Sequence, residues 1–212
     1  MTDALFLTSE AVDDLATPAD YVAAVRDGYR EVGEGAPAEP RTLLPSGDPP
    51  GMLTTYVAML PEVGAMGGYT YAAGFAERDA WFLTPLFDAE TGEPLAVIDG
   101  ASMNPFKTGA AGAVAVDALA RPDASTVAVI GSGPQARGQL RTTATVRDLT
   151  GVRVFSPTPA NRESFADEFA ERLDADVTAV SSADAALADA DVVITATTAS
   201  EPVIADADVE PG

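Results

Sequence analysis

Residues 127–140 read VAVIGSGPQARGQL. The run VAVI is unbroken and apolar, as a strand buried on both faces requires. Directly after it stand Gly131, Gly133 and Ala136 in the pattern G-x-G-x-x-A, followed by a helical run. Glycine pairs in turns are common, and this one gains meaning from its place between strand and helix. Gly131 makes the tight turn, Gly133 lets the backbone approach a pyrophosphate, and Ala136 lets helix and strand pack closely. The helix start then offers phosphate its unpaired N–H groups and the positive end of its dipole. The alternative is a Gly-rich strand-to-helix turn that holds no ligand.

Downstream, strands expected at 152–156, 177–180 and 192–196 alternate with helices at 135–147, 161–173 and 183–188. That alternation predicts an α/β fold with a Rossmann-type parallel sheet. The chain ends at Gly212, after four such strands, where the doubly wound fold has six, so this domain is expected to be incomplete at its C-terminus. Upstream, apolar spacing over 9–33 predicts two helices capped at Ser9 and Thr17, followed by a Pro- and Gly-rich loop over 35–50. Four β-prone runs lie between Leu53 and Asp99, two of them joined through a TGEP turn, and an Ala-rich helix covers 108–119. The expected organisation is an α+β substrate-binding or dimerisation domain over 1–119 and a nucleotide-binding domain over 120–212.

Composition narrows the chemistry. The chain has neither cysteine nor histidine, which removes disulfides, thiolate chemistry, His-ligated zinc and Ser-His-Asp triads. With 33 acidic and 12 basic residues the net charge is -21, a solvated acidic surface that repels itself in dilute buffer. Nucleic acid, which needs a basic stripe, is not an expected partner. Lys107 is the one lysine beside 11 arginines, a balance that resembles proteins of salt-loving organisms. No run approaches the length of a membrane span, and the expected location is cytoplasmic.

Dinucleotide-binding domains that prefer NAD carry an acidic residue at the end of the second strand, where this chain has Ser156. With Thr158 and Arg162 close by, a 2′-phosphate meets no repulsion, which leans the reading to NADP(H). The other reading is that Ser156 and Thr158 shape the turn before a helix capped at Asn161. Lys107 is placed to hold a carboxylate or a nicotinamide-side group, or else is a surviving surface lysine. Arg41 lies in the rigid segment PRTLLP, suited to presenting its fork to a carboxylate. Tyr69 and Tyr71 alternate with small residues, so one strand face lines a cleft or packs in the core.

The segments PRTLLP, GML, MGGYTY, LFDAETGEPLAVIDG, FKTGAAGAVAVDALARPD, VAVIGSGPQARGQL and ADVVITATTASEPV occur in that order. Together they resemble the ornithine cyclodeaminase and mu-crystallin family, which also contains an archaeal-type alanine dehydrogenase. The resemblance implies a dimeric two-domain enzyme using NAD or NADP. Its type reaction turns ornithine into proline and ammonia through an imine. Relatives act as amino-acid dehydrogenases or cyclic imine reductases, and a catalytically silent NADPH-binding protein is the remaining reading. Carried over by motif, Arg41 and Met52 take substrate positions. Gly131, Gly133, Pro134, Gln135, Ala136, Ser156 and Thr197 take cofactor positions. Two residues depart from the pattern: a substrate-side lysine of the family falls on Tyr69 (or, shifted by one, Gly68), and an arginine falls on Lys107. The family's catalytic Asp belongs to a part of the fold beyond Gly212.

The charge balance generates a direct test. Raising KCl from about 0.1 M to about 2 M is expected to lift the thermal midpoint by several degrees, read by circular dichroism. A midpoint that stays constant or falls would remove self-repulsion as a factor.

Overall fold

The computed structural model describes residues 4–13, 15–75 and 80–205. Its elements are β1 (Leu5–Leu7), α1 (Ser9–Asp13), α2 (Pro18–Gly33), β2 (Ala38–Gly47), β3 (Pro50–Leu60), β4 (Ala65–Ala73), β5 (Ala80–Asp88) and β6 (Pro94–Asp99). There follow α3 (Asn104–Leu119), β7 (Thr126–Ile130), α4 (Pro134–Thr143), β8 (Gly151–Phe155), α5 (Pro159–Arg172), β9 (Asp176–Ala179), α6 (Ala183–Leu187) and β10 (Val192–Thr195). Packing groups the described residues into two compact units. One holds those up to Thr17 and Arg26–Asn104, the other Pro18–Val25 and those from Pro105 onward. These units do not follow the chain division at Leu119, because nearly all of α3 packs with the second.

In the second unit, β7, β8, β9 and β10 form a parallel sheet in the order β10-β7-β8-β9. This is the half of a Rossmann-type sheet in which the fourth strand returns beside the first. Val127 and Val129 point to one face and meet Leu140 of α4 and Phe165 and Phe169 of α5, all buried. Ala128 and Ile130 point to the other face and meet Ala186 and Leu187 of α6. The unbroken apolar run is thus explained by burial on both sides. Phe165 and Phe169, one helical turn apart, stack at 4.5 Å. Helix α3 lies close to α4, since a β-carbon on Gly109 would meet the Gly138 carbonyl oxygen at 2.6 Å.

The first unit is a six-stranded sheet in the order β1-β6-β5-β4-β3-β2, antiparallel except for β1 against β6. Its own core is thin: among its described hydrophobic residues only Val12 and Ala96 are buried. Leu44, Leu53, Val57, Trp81 and Leu83 are exposed, and the strand registers put them on one face. Ser9 and Ser102 join α1 to the end of β6 reciprocally. The Ser102 amide donates to Ser9 Oγ at 2.8 Å and the Ser102 hydroxyl to the Ser9 carbonyl at 2.9 Å.

Several local expectations are corrected. The segment expected to be a loop over 35–50 carries β2, because pairing along β3 satisfies its backbone despite Pro40 and Pro45, and an edge strand tolerates proline. The cap of α1 is Thr8, whose Oγ1 accepts the Ala11 amide at 3.2 Å, and Ser9 is already helical. Helix α3 starts at Asn104, with Pro105 in its first turn, where a missing N–H is harmless. Helix α5 starts at Pro159 with Thr158 at the cap position, ahead of the expected Asn161, for the same reason. Helix α4 ends at Thr143, short of the expected Arg147.

The N-terminal edge of the parallel sheet hangs on Asp191. Its Oδ2 accepts the Ser125 amide at 2.9 Å, the Thr126 amide at 3.0 Å and the Thr126 hydroxyl at 2.8 Å, while Arg121 donates to Oδ1. These donors, the Ser125 amide first, pull its pKa down from 3.8 to about 2. A carboxylate whose pKa is lowered by folding contributes stability above its unfolded pKa and loses it as pH falls through the folded value. Asp191→Asn is therefore expected to destabilise the second unit by about 2 kcal/mol at neutral pH. The difference from wild type should shrink as pH drops from about 4 through about 2. Equal urea midpoints at pH 7 would refute this role.

Candidate functional site

The ligand crevice of an open α/β sheet lies at the carboxyl ends of the strands where their order reverses. Here that place is between β7 and β10, the first and fourth strands of the sheet. Gly131 leaves β7 with φ +115°, and a β-carbon on it would sit 2.0 Å from the Ala196 carbonyl oxygen at the end of β10. Its amide donates to Phe155 O at 2.8 Å, tying the turn to the end of β8. Gly133 is different. Its backbone, at φ -79° and ψ -177°, is open to any residue, and a β-carbon there would meet nothing within 4 Å. Protein packing gives no reason for glycine at 133, whereas a phosphate seated on the turn does.

Gly133 caps α4, Pro134 opens it, and the first helical bond runs from the Arg137 amide to Gly133 O at 3.1 Å. The amides of Gln135 and Ala136 precede that bond, in the turn whose N–H groups a helix leaves unpaired. Ala136 is fully buried, as close packing against β7 requires, and Gln135 Oε1 is buried without a hydrogen-bond partner. Thr197, just past β10, accepts the Ala199 amide at 3.1 Å. These observations fit a dinucleotide pyrophosphate.

The loop after β8 gathers the residues read for the ribose end. Ser156 is buried and accepts from the Ser132 hydroxyl at 2.9 Å, which links the loop to the glycine turn. Arg162 reaches back to donate to Ser156 O at 2.9 Å. Thr158 is exposed and its side chain makes no cap bond, although it stands at the cap position. No acidic residue occurs from Phe155 to Arg162. Lys107 sits half-buried in the first turn of α3, and burial lowers its pKa. Beside it, Phe106 is stacked on Tyr21 at 5.4 Å and covered by the Arg141 guanidinium at 4.5 Å. Phe106 is thus a packing anchor for the turn that carries Lys107.

In the first unit, Arg41 of β2 lies beside the hydroxyls of Tyr56 and Tyr71, which raise its pKa, Tyr56 contributing most. Tyr69 is directly opposite Tyr56, and its hydroxyl donates to Asn104 Oδ1 at 2.7 Å. Burial, then the neighbouring Tyr71 and Tyr56, push the Tyr69 pKa upward, so it stays a neutral donor. Tyr69 also lies 5.9 Å from Tyr71 and 5.7 Å from Phe82. Met52 stands in β3 opposite Pro45 and Ala73. Arg41 and Tyr69 are therefore brought into one cluster, with Met52 further along β3, while Lys107 belongs to the other compact unit. Sequence reading missed Tyr56, Phe82, Asn104 and Ser132. The registers that align the first two with Tyr69 and Tyr71 appear only when strands pair.

The model of the ornithine cyclodeaminase/mu-crystallin family matches residues 2–212. The chain belongs to this family. It is similar to the NAD(P)H-dependent anabolic L-arginine dehydrogenase of Pseudomonas aeruginosa, 33% identical over 160 residues that cover 72% of this chain and 50% of that one. Among solved structures it is similar to the Thermococcus litoralis Delta(1)-pyrroline-2-carboxylate reductase in complex with NADH and L-proline. That likeness has a TM-score of 0.87 at 29% identity and covers 94% of this chain and 64% of the other. An archaeal alanine dehydrogenase dimer with bound NAD gives 0.88 at 28% identity, covering 98% and 64%. The chain thus spans half the length of the arginine dehydrogenase and under two thirds of both solved relatives.

Within an ornithine cyclodeaminase/mu-crystallin protein the two turn glycines are separable by mutation. Gly131→Ala forces a β-carbon onto the Ala196 carbonyl at a positive φ and is expected to cost more than about 2 kcal/mol of stability. Gly133→Ala should leave the urea midpoint within about 0.5 kcal/mol of wild type yet weaken dinucleotide binding at least about tenfold. If Gly133→Ala binds NADH and NADPH as wild type does, the phosphate seat is elsewhere.

Proposed function

We propose that this chain carries the cofactor seat and part of the substrate seat of an NAD(P)-dependent enzyme acting at the Cα–N bond of a small amino or imino acid. The observation that carries this reading is Gly133, a glycine whose β-carbon would meet no atom of the described residues within 4 Å, at the strand-order switch point. A bound nicotinamide would supply or accept the hydride. Gly131, Gly133 and the start of α4, with Pro134, Gln135 and Ala136, hold the pyrophosphate. Thr197 flanks it from the end of β10. Thr158 and Arg162, beside Ser156, favour the 2′-phosphate of NADP(H). Arg41 holds a substrate carboxylate and Met52 and Tyr69 line its seat; Lys107, in the other unit, offers an ammonium with a lowered pKa for contact with an anion. The functional division we adopt places the substrate and dimerisation part in 1–119 and the cofactor part in 120–212.

The ornithine cyclodeaminase reaction and the dehydrogenase or imine reductase reaction share an imine. In the first, a side-chain amine adds to the imine carbon, ammonia leaves and the hydride returns, so the cofactor is unchanged overall. In the second, water adds and the keto acid and ammonia leave, or the imine takes a hydride at carbon and a proton at nitrogen to become an amine. The assembly we propose is a homodimer, supported by the exposed apolar face of the six-stranded sheet.

Two measurements test the reading. In molar KCl, a fluorescence titration is expected to give saturable binding of NADPH, tighter than that of NADH. A chain that is folded by circular dichroism and binds neither would sink it. Product analysis separates the reactions: proline and ammonia with no net change in cofactor mark the cyclodeaminase, while stoichiometric cofactor turnover marks the oxidoreductase.

A further inference from the structure

The glycine turn and the loop after β8 are tied together twice. The Gly131 amide donates to Phe155 O at 2.8 Å, and one residue on from each the Ser132 hydroxyl donates to Ser156 Oγ at 2.9 Å. Ser156 is 6% exposed, so the second tie is made inside the protein. Its own hydroxyl is directed to Thr158 O at 3.5 Å, the outer limit of a hydrogen bond. The Ser156 carbonyl has a separate partner, accepting Nη1 of Arg162 at 2.9 Å. Ser132, Ser156 and Arg162 therefore form one line of contacts from the glycine turn to the first turn of α5.

This line fixes where positive charge stands. Residues 156–162 read SPTPANR, and the charged side chain among them is Arg162. Pro157 and Pro159 lock the backbone on either side of Thr158, which is exposed and does not spend its hydroxyl on capping α5. The bond to Ser156 O uses one terminal nitrogen and holds the plane of the guanidinium, whose fork carries further N–H donors. In a dinucleotide-binding domain this loop meets the adenosine ribose, and an acidic residue at the position of Ser156 accepts the ribose hydroxyls. A serine hydroxyl held inward by Ser132 is a poor substitute for that carboxylate. A phosphate monoester on the ribose instead brings acceptor oxygens and negative charge, which a planar guanidinium matches.

We propose that Arg162 sets the cofactor preference by reading a 2′-phosphate on the adenosine ribose, and that Ser132, inside the glycine turn, positions it through Ser156. This rests on the functional reading above and deepens it, because the preference for NADP(H) then depends on a hydroxyl outside the loop that meets the ribose. Without that hydroxyl, Ser156 Oγ is a buried acceptor that has lost its donor, and the carbonyl that holds Arg162 loses its anchor to the turn. The turn amides that face the pyrophosphate belong to the backbone and remain.

The test is calorimetric titration of the chain in molar KCl with adenosine 2′,5′-bisphosphate and adenosine 5′-monophosphate, which differ only in the 2′-phosphate. NADPH and NADH binding are measured separately by fluorescence, and NADPH should displace the bisphosphate. The bisphosphate is expected to bind about tenfold more tightly than the monophosphate. Arg162→Gln should reduce that ratio to about twofold or less through loss of bisphosphate affinity. Ser132→Ala should reduce it about three- to fivefold, and Ser132→Thr, which keeps a hydroxyl, should restore it. An unaltered ratio in Arg162→Gln would overturn the role of Arg162, and an unaltered ratio in Ser132→Ala would overturn the positioning role of Ser132. Equal binding of the two nucleotides by a chain that binds NADH would overturn the inference and leave the functional reading standing. The reverse holds if the bisphosphate is preferred through Arg162 while neither dinucleotide binds. A folded chain that binds none of the four would overturn both.

Discussion

The backbone of Gly131 runs so close to the Ala196 carbonyl that the turn after β7 and the end of β10 form one surface, and much of the second unit follows from that approach. Hydrogen bonds hold it from both sides, Gly131 N–H to Phe155 O at 2.8 Å and Ala196 N–H to Ile130 O at 2.8 Å. A side chain at 131 would push the fourth strand away from the first, opening the crevice and displacing the start of α4. The strand-order switch therefore depends on one residue without a β-carbon. The phosphate seat proposed at Gly133 is a by-product of the same turn, since the chain must leave β7 sharply before it can point helix amides into the crevice.

The two units solve their packing differently. The second buries phenylalanines, valines and leucines between sheet and helices, and all the buried hydrophobic clusters among the described residues lie in it. The first spreads its apolar residues over a broad sheet that buries few of them, and leaves one row of large side chains on one face and the tyrosine cluster on the other. Large exposed apolar faces of this kind mark interaction surfaces.

Positive charge is scarce in a chain of net charge -21, and where it occurs it joins elements. Arg147 caps the end of α3 through the carbonyls of Val116, Asp117 and Ala120 while pairing with Asp117 at 2.9 Å. Arg30 links α2 to Glu62 beyond β3, and Arg137 bonds Glu168 while covering the Phe165 ring. The described partners of Arg41 are tyrosines, so no described carboxylate pairs with its charge. That is the physical ground for reading it as an anion contact.

The sequence by itself determined the parallel sheet, because VAVI is too continuously apolar for anything but burial on both faces and the β-prone runs after it alternate with helical ones. The glycine turn, the missing acid at Ser156 and the family followed from local patterns that need no partner strand. Tertiary structure decided what local pattern leaves undetermined. Residues 38–47 are a strand because β3 satisfies their backbone, a non-local pairing that their prolines conceal. Lys107 entered a helix because Pro105 suits a first turn. Tyr56, Tyr69, Tyr71 and Phe82 come together only through register, since a shift of one residue along any strand would send its ring to the opposite face.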